Sequence, residues 1–179
     1  MHMHEDPHLL VQAQEGDQRA YQKLYERHLS PLYRFLKQFS NDTDEVEDWT
    51  QRAFIKAFEN LGRFDGQAKF STWLFRIAIN EMKMDHRRSG IVRFERLDDE
   101  GELGAADEEE HFVWNQTMRT WLNQLDESKR AVFLLYEVEG YSHAEIASML
   151  QIGESSSRTI LTRTKQLLRQ QWNNEEKQQ

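Results

Sequence analysis

Apolar positions recur at three- and four-residue steps along most of this chain, the spacing of helices that bury one stripe. Leu9 to Ala13 begins a helix, and Ala20, Tyr21, Leu24, Tyr25, Leu29, Leu32, Tyr33, Leu36 and Phe39 continue the pattern. Pro31 is expected to kink or restart that run, because its ring removes a donor and crowds the preceding turn. Asn41 to Asp44 forms a turn and cap cluster, after which Val46, Trp49, Ala53, Phe54, Ala57, Phe58 and Leu61 give the next stripe. Gly62 to Gly66 is a loop, and Phe70 to Arg88 a third long helix. Further on, Trp114, Met118, Trp121, Leu122 and Leu125 mark one helix. Asp126 is placed to cap the next, whose Val132, Leu135 and Tyr136 are expected to face inward before Gly140 ends it.

The stretch Tyr141 to Lys165, Y-S-H-A-E-I-A-S-M-L-Q-I-G-E-S-S-S-R-T-I-L-T-R-T-K, reads as two helices joined by a tight turn. Ser142 and Glu145 have the spacing of a capping box, in which each side chain satisfies an orphan backbone donor. Ile146, Ala147, Met149 and Leu150 supply the apolar stripe of the first helix. The second opens near Glu154 or Ser155 and presents Ser155, Ser156, Ser157, Arg158, Thr159, Thr162, Arg163 and Lys165, with Arg169 beyond. Short hydroxyls approach base edges and phosphates closely, and arginines reach guanine edges or the backbone, so this helix is a candidate reader of duplex DNA.

Phe70 to Arg88 has two faces. At about 100° per residue Leu74, Ile77 and Ala78 share a core side, whereas Trp73, Arg76, Asn80, Lys83 and Arg87 fall within an arc of about 80°. An aromatic ring, an amide and three cations in one line suit a single strand: the ring stacks on an unpaired base, the amide reads its edge and the cations follow the phosphates. The preceding loop, Gly62-Arg63-Phe64-Asp65-Gly66-Gln67-Ala68-Lys69, could wall a pocket for a base pulled from the stack. Glu81 and Asp85 interrupt the apolar side of this helix.

The net charge of −8 looks wrong for a nucleic-acid binder until it is located. Nine acids and the single base Arg96 lie between Glu95 and Glu110, leaving 22 acidic and 22 basic residues elsewhere out of 31 and 23. That acidic stretch lacks helical periodicity and is expected to be an extended, flexible linker between two helical units. With only 8 Gly and 2 Pro among 179 residues, the fold class is all-α. The boundaries are 1–92, 93–111 for the linker and 112–179, the last unit a helix-turn-helix. The tail after Trp172 is expected to fray. No run approaches the ~20 apolar residues of a membrane span, and M-H-M-H-E-D-P-H lacks a signal-peptide pattern. Zero cysteines exclude disulfides and thiolate metal sites within this chain. A cytoplasmic protein without membrane insertion is expected.

Taken in order, these pieces resemble the extracytoplasmic-function sigma factors, initiation factors of the sigma-70 class. The blocks that carry the resemblance are D-E-V-E-D-W-T-Q-R-A-F-I-K-A-F (44–58), R-F-D-G-Q-A-K-F-S-T-W-L-F-R-I-A-I-N (63–80) and L-D-E-S-K-R-A-V-F-L-L-Y-E-V-E-G-Y-S-H-A-E-I-A (125–147). The resemblance implies that the 44–58 helix docks the clamp helices of the largest subunit of core RNA polymerase. Asp44, Glu47, Asp48, Gln51 and Arg52 would be its polar contacts, around a buried Trp49 and Phe54. It implies that Phe64, Lys69, Trp73, Arg76, Asn80, Lys83 and Arg87 melt and capture the minus-ten promoter element as a single strand. The helix from Ser155 to Arg169 would read the minus-thirty-five element. A cognate anti-sigma factor is implied as a further partner, no cofactor is, and catalysis would belong to the polymerase.

Three positions depart from the family pattern. Gln151 stands where glycine usually follows the first helix of the motif, and a left-handed cap there would cost about 1 kcal/mol. Ser157 replaces an apolar residue, and Ile160 a basic one. A dimeric helix-turn-helix repressor or activator is the alternative function, but it leaves the Trp73 face without a use. His2, His4 and His8 form a candidate metal cluster in the N-terminal tail, with no acid held near them; no phosphate loop, nucleophile elbow or H-E-x-x-H motif is present.

Overall fold

The computed structural model describes residues 7–88 and 116–176, and the elements among them are all helical. The expected linker at 93–111, the expected helix position Trp114, and His2 and His4 lie outside the described residues. The first unit contains α1 (Pro7–Gln14), α2 (Gln18–Leu36), α3 (Thr43–Glu59), a 3-10 turn at Leu61–Arg63, and α4 (Phe70–Arg88). The second contains α5 (Gln116–Asn123), α6 (Glu127–Phe133) running into a π-helical turn (Leu134–Val138), α7 (His143–Leu150) and α8 (Glu154–Glu176).

Local chemistry sets the helix starts. The Asp17 carboxylate accepts from the amides of Arg19 (2.8 Å) and Ala20 (3.3 Å) and opens α2. Asp42 does the same for α3 at the amides of Asp44 and Glu45, and Asp126 for α6 at the amide of Lys129. These bonds satisfy donors that the first turn of a helix leaves free. Of the kink or restart expected at Pro31, the restart does not occur: α2 runs through it, because both flanks share one buried stripe of His28, Leu32, Phe35 and Leu36. The chain breaks earlier instead, at Gly16, whose φ of +91 takes the backbone where glycine goes without strain. At the other end, α8 continues to Glu176, past the fraying expected after Trp172.

The core of the first unit gathers Phe35, Trp49, Phe70, Leu74, Phe75, Ile79 and Met82. The two acids on the apolar side of α4 are put to structural use. Asp85 accepts from the Trp49 indole at 3.0 Å, and Glu81, buried, takes the ammonium of Lys56 across from α3. His28 is buried against the Phe70 ring, and burial first, then the neighbouring Arg27, lowers its pKa to about 4. The core of the second unit gathers Leu122, Val132, Leu135, Ile146 and Met149. Tyr136, expected inside, is 38% exposed and stacks its ring on His143, because the π turn shifts its direction by about one residue.

The sequence pattern suggests two units held apart; in the structure they touch. Phe75 of α4 meets Tyr141 ring to ring at 5.4 Å, and both are buried. Charged contacts ring this apolar contact. Lys69 pairs with Glu145 at 2.8 Å, His86 with Glu127 at 3.2 Å, and Arg130 donates to the Gln38 carbonyl at 2.8 Å while lying over the Phe39 ring. Burial raises the pKa of Glu139, opposed by the charge of Arg34 across the same boundary. In the Lys69–Glu145 pair the cation comes from the first unit and the acid from the second, and the Arg34 charge acts on Glu139 in the same sense.

Candidate nucleic-acid interfaces

The loop ahead of α4 is held from behind. Gln14 at the end of α1 donates to the carbonyls of Leu61 (3.1 Å) and Phe64 (2.9 Å). This directs the Phe64 ring onto Trp73 at 5.0 Å, with both rings near Phe70. Trp73 is therefore half-buried, one part packed and the remainder facing a cleft. That cleft, about 410 Å³, lies between the end of α3 and the middle of α4 and is lined by Lys56, Asn60, Arg63, Trp73, Ile77, Asn80 and Glu81. Asn80 and Arg87 are exposed and Arg76 and Lys83 half-buried. The whole Trp73/Arg76/Asn80/Lys83/Arg87 line thus sits at the surface, while Leu74 and Ala78 are in the core.

Two expected members differ from the simplest picture. Ile77 lines the cleft and is not fully buried. Lys69 is not a free cation: its ammonium is bound to Glu145 of α7. Burial alone would raise the Glu145 carboxyl, but Lys69 together with the amide and hydroxyl of Ser142 outweighs it, and its pKa lies below the usual value. Arg63 belongs to the loop expected to wall a pocket, whereas Lys56, Asn60 and Glu81 were not named from the sequence as cleft walls. Only the charge of Glu81 on an apolar side signalled one of them.

The second face is convex. Ser142 and Glu145 form the expected capping box at the start of α7. Gln151 adopts φ 57 and ψ 46, the left-handed cap that glycine would occupy without strain. Along α8, Ser155, Ser156, Arg158, Thr159, Thr162 and Arg163 are all exposed. Ser157 is not among them. Ser157, Leu161, Thr164 and Leu168 recur at helical spacing on the buried side, and the Ser157 hydroxyl sits 2.9 Å from His143 Nδ1. Its assignment as a DNA contact is corrected accordingly: it fills the apolar-stripe position with a hydrogen bond to α7. Of the basic residues, Arg158 pairs with Glu154 one turn earlier and Lys165 with Glu137. Both pairs are surface pairs, worth ~0–1 kcal/mol, so either side chain can leave for a phosphate.

On α3, Asp44, Glu47, Asp48 and Gln51 are exposed along one side, with Ile55 55% exposed at its end. Trp49 and Phe54 are buried beneath. Arg52 is half-buried and bridges Asp48 (2.6 Å) and Asp85 (3.8 Å), so it braces α3 against α4 rather than standing free.

Comparison with known proteins gives this geometry a lineage. The family described as Sigma-70 region 2 matches residues 24–90, and that described as Sigma-70, region 4, matches residues 116–168. The RNA polymerase sigma-H factor of Pseudomonas aeruginosa is 29% identical over 92% of both chains. The ECF RNA polymerase sigma factor SigW of Bacillus subtilis is 27% identical over 90% of this chain and 94% of its own. Among solved structures, CnrH in complex with the cytosolic domain of CnrY aligns with a TM-score of 0.70 at 26% identity, covering 93% of this chain and 96% of that one. A stand-alone operator-binding dimer has no use for the first of these matches, and that alternative is set aside. Both halves of the molecule match the same class of initiation factor in the order that class requires, and the chain belongs to the extracytoplasmic-function sigma factors of the sigma-70 family.

Proposed function

We propose that residues 1–92 dock on core RNA polymerase and capture the minus-ten element, that 93–111 tether, and that 112–179 read the minus-thirty-five element. The observation that carries this reading is the cleft on α4, lined by a half-buried tryptophan and an exposed amide, with a line of cations along the same helix face. Concavity beside a stacking ring suits an unpaired base, and the cations beside it suit the phosphates of the same strand. Phe64 supports Trp73 from the loop. Lys69 joins the site only when Glu145 releases it, so separation of the two units and strand capture are coupled.

On α8 the exposed hydroxyls and arginines form a convex strip of the width a major groove admits. Docking falls to the exposed side of α3, with Asp44, Glu47, Asp48 and Gln51 as polar contacts and Arg52 as the brace behind them. Each DNA footprint is small, and a good bidentate base contact discriminates by only ~1–3 kcal/mol. Mounting both on polymerase turns two weak contacts into a selective pair through effective concentration. The free protein accordingly binds promoter DNA weakly. The polymerase supplies the chemistry, and the protein works where its promoters are, in the cytoplasm. CnrH was solved with the cytosolic domain of a second protein, which favours an anti-sigma partner for this chain as well.

Transcription of a genomic fragment library with core polymerase plus the purified protein tests the reading. Start sites that share one two-part upstream sequence are expected. Starts scattered as with core enzyme alone would contradict it.

A further inference from the structure

Glu81 is an unusual residue to find in the wall of a site that faces DNA. Its side chain is 6% exposed, and it lines the cleft beside Asn80. One carboxylate oxygen accepts from Lys56, and the other is buried with no donor among the described residues. Lys56 is 45% exposed, so its ammonium can swing to a nearby phosphate and leave the Oε1 that it holds open as well. The Asn60 amide nitrogen is bonded to the Lys56 carbonyl at 2.8 Å. The cleft therefore holds a carboxylate short of donors, next to an adaptable amide and a tryptophan face.

A carboxylate accepts hydrogen bonds and donates none. Among the bases, cytosine and adenine carry an exocyclic amine at pyrimidine C4 or purine C6, where thymine and guanine carry a carbonyl oxygen. An amine there satisfies the carboxylate; a carbonyl sets lone pairs against it. We propose that Glu81 selects the unpaired base entering this cleft, favouring cytosine or adenine over thymine or guanine at one position of the minus-ten strand. The proposal rests on the reading of the cleft as a strand-capture site. Glu81 acts on the base itself, with Asn80 beside it as the adaptable partner and Trp73 as the stacking surface.

The test uses full-length protein assembled with core polymerase and fork-junction probes whose unpaired minus-ten positions carry each of the four bases in turn. At one position, probes with cytosine or adenine are expected to compete about tenfold better than those with thymine or guanine. Glu81→Gln, whose amide donates as well as accepts, is expected to bring that ratio close to one while assembly with polymerase is unchanged. A measurement on the unaltered protein stands beside it: 2-pyrimidinone, which is cytosine without the amine, is expected to compete less well than cytosine. The inference is overturned if the ratio persists in Glu81→Gln or if 2-pyrimidinone competes as well as cytosine. If no position prefers an amine while Trp73→Ala still weakens probe binding, the selection is refuted and the capture site stands. If neither Trp73→Ala nor Asn80→Ala weakens binding, the capture site itself is refuted.

Discussion

The two surfaces proposed to face DNA are built in opposite ways. On α4 the surface is concave, its tryptophan half-buried between Phe64 and Phe70 and its floor closed by the Lys56–Glu81 pair. On α8 it is convex, and every forward side chain from Ser155 to Arg163 stands in solvent. Concavity needs supports: Gln14 holds the loop, Asp85 holds Trp49, and Glu81 holds Lys56. Convexity needs only a stripe behind it. A surface that captures an unpaired base must pre-form a hole, whereas one that enters a groove must only protrude. Substitutions behind the first surface are therefore expected to damage function through structure, and substitutions on the second through lost contact alone.

The largest effect separates these cases. Trp49→Ala removes a fully buried indole and its bond to Asp85, and is expected to cost ~3–5 kcal/mol of stability; chemical denaturation measures it. No comparable loss is expected for any exposed α8 side chain. His28 comes next. Its pKa in the folded protein is depressed to about 4 from the ordinary 6.5, so the unfolded chain takes up a proton first as pH falls. Its contribution is complete above pH 6.5 and declines between pH 6.5 and about 4. The urea midpoint is expected to fall through that window and to fall less in His28→Gln.

Trp73→Ala, which removes the stacking ring, is expected to weaken fork-junction binding by ~1–3 kcal/mol without altering affinity for duplex minus-thirty-five DNA. Arg158→Ala is expected to do the reverse, weakening the duplex contact by up to ~1–3 kcal/mol and leaving fork binding intact. If both variants weaken both ligands equally, the division of labour is wrong. The smallest effect is a gain. Gln151→Gly relieves a left-handed backbone at the turn and is expected to stabilise the second unit by about 1 kcal/mol, seen as a raised thermal midpoint.

Much of this was legible in the sequence because helix periodicity and capping are local. The stripes of α3, α4 and α8, the Ser142–Glu145 box and the strain at Gln151 all follow from residues within about one or two turns of each other. Pro31 does not restart the helix because tertiary packing on both sides outweighed a local break. Tyr136 misled because a π turn resets the helical phase, and nothing in L-L-Y-E-V announces one. Ser157 was recognisable as the member of an apolar stripe, but its hydroxyl suggested DNA until His143 was seen opposite it. The Lys56 and Glu81 walls of the cleft and the contacts between units were illegible for one reason. Lys56 with Glu81 and Lys69 with Glu145 join positions 25 and 76 residues apart, and no spacing rule reaches that far.

Strand opening on a promoter by core polymerase, read from a fluorescent base analogue in the minus-ten element, bears most directly on the central claim. Opening is expected only when this protein is added, and is expected to be lost with Asn80→Ala although the variant still assembles with polymerase. Equal opening without the protein, or undiminished opening with Asn80→Ala, would contradict the account.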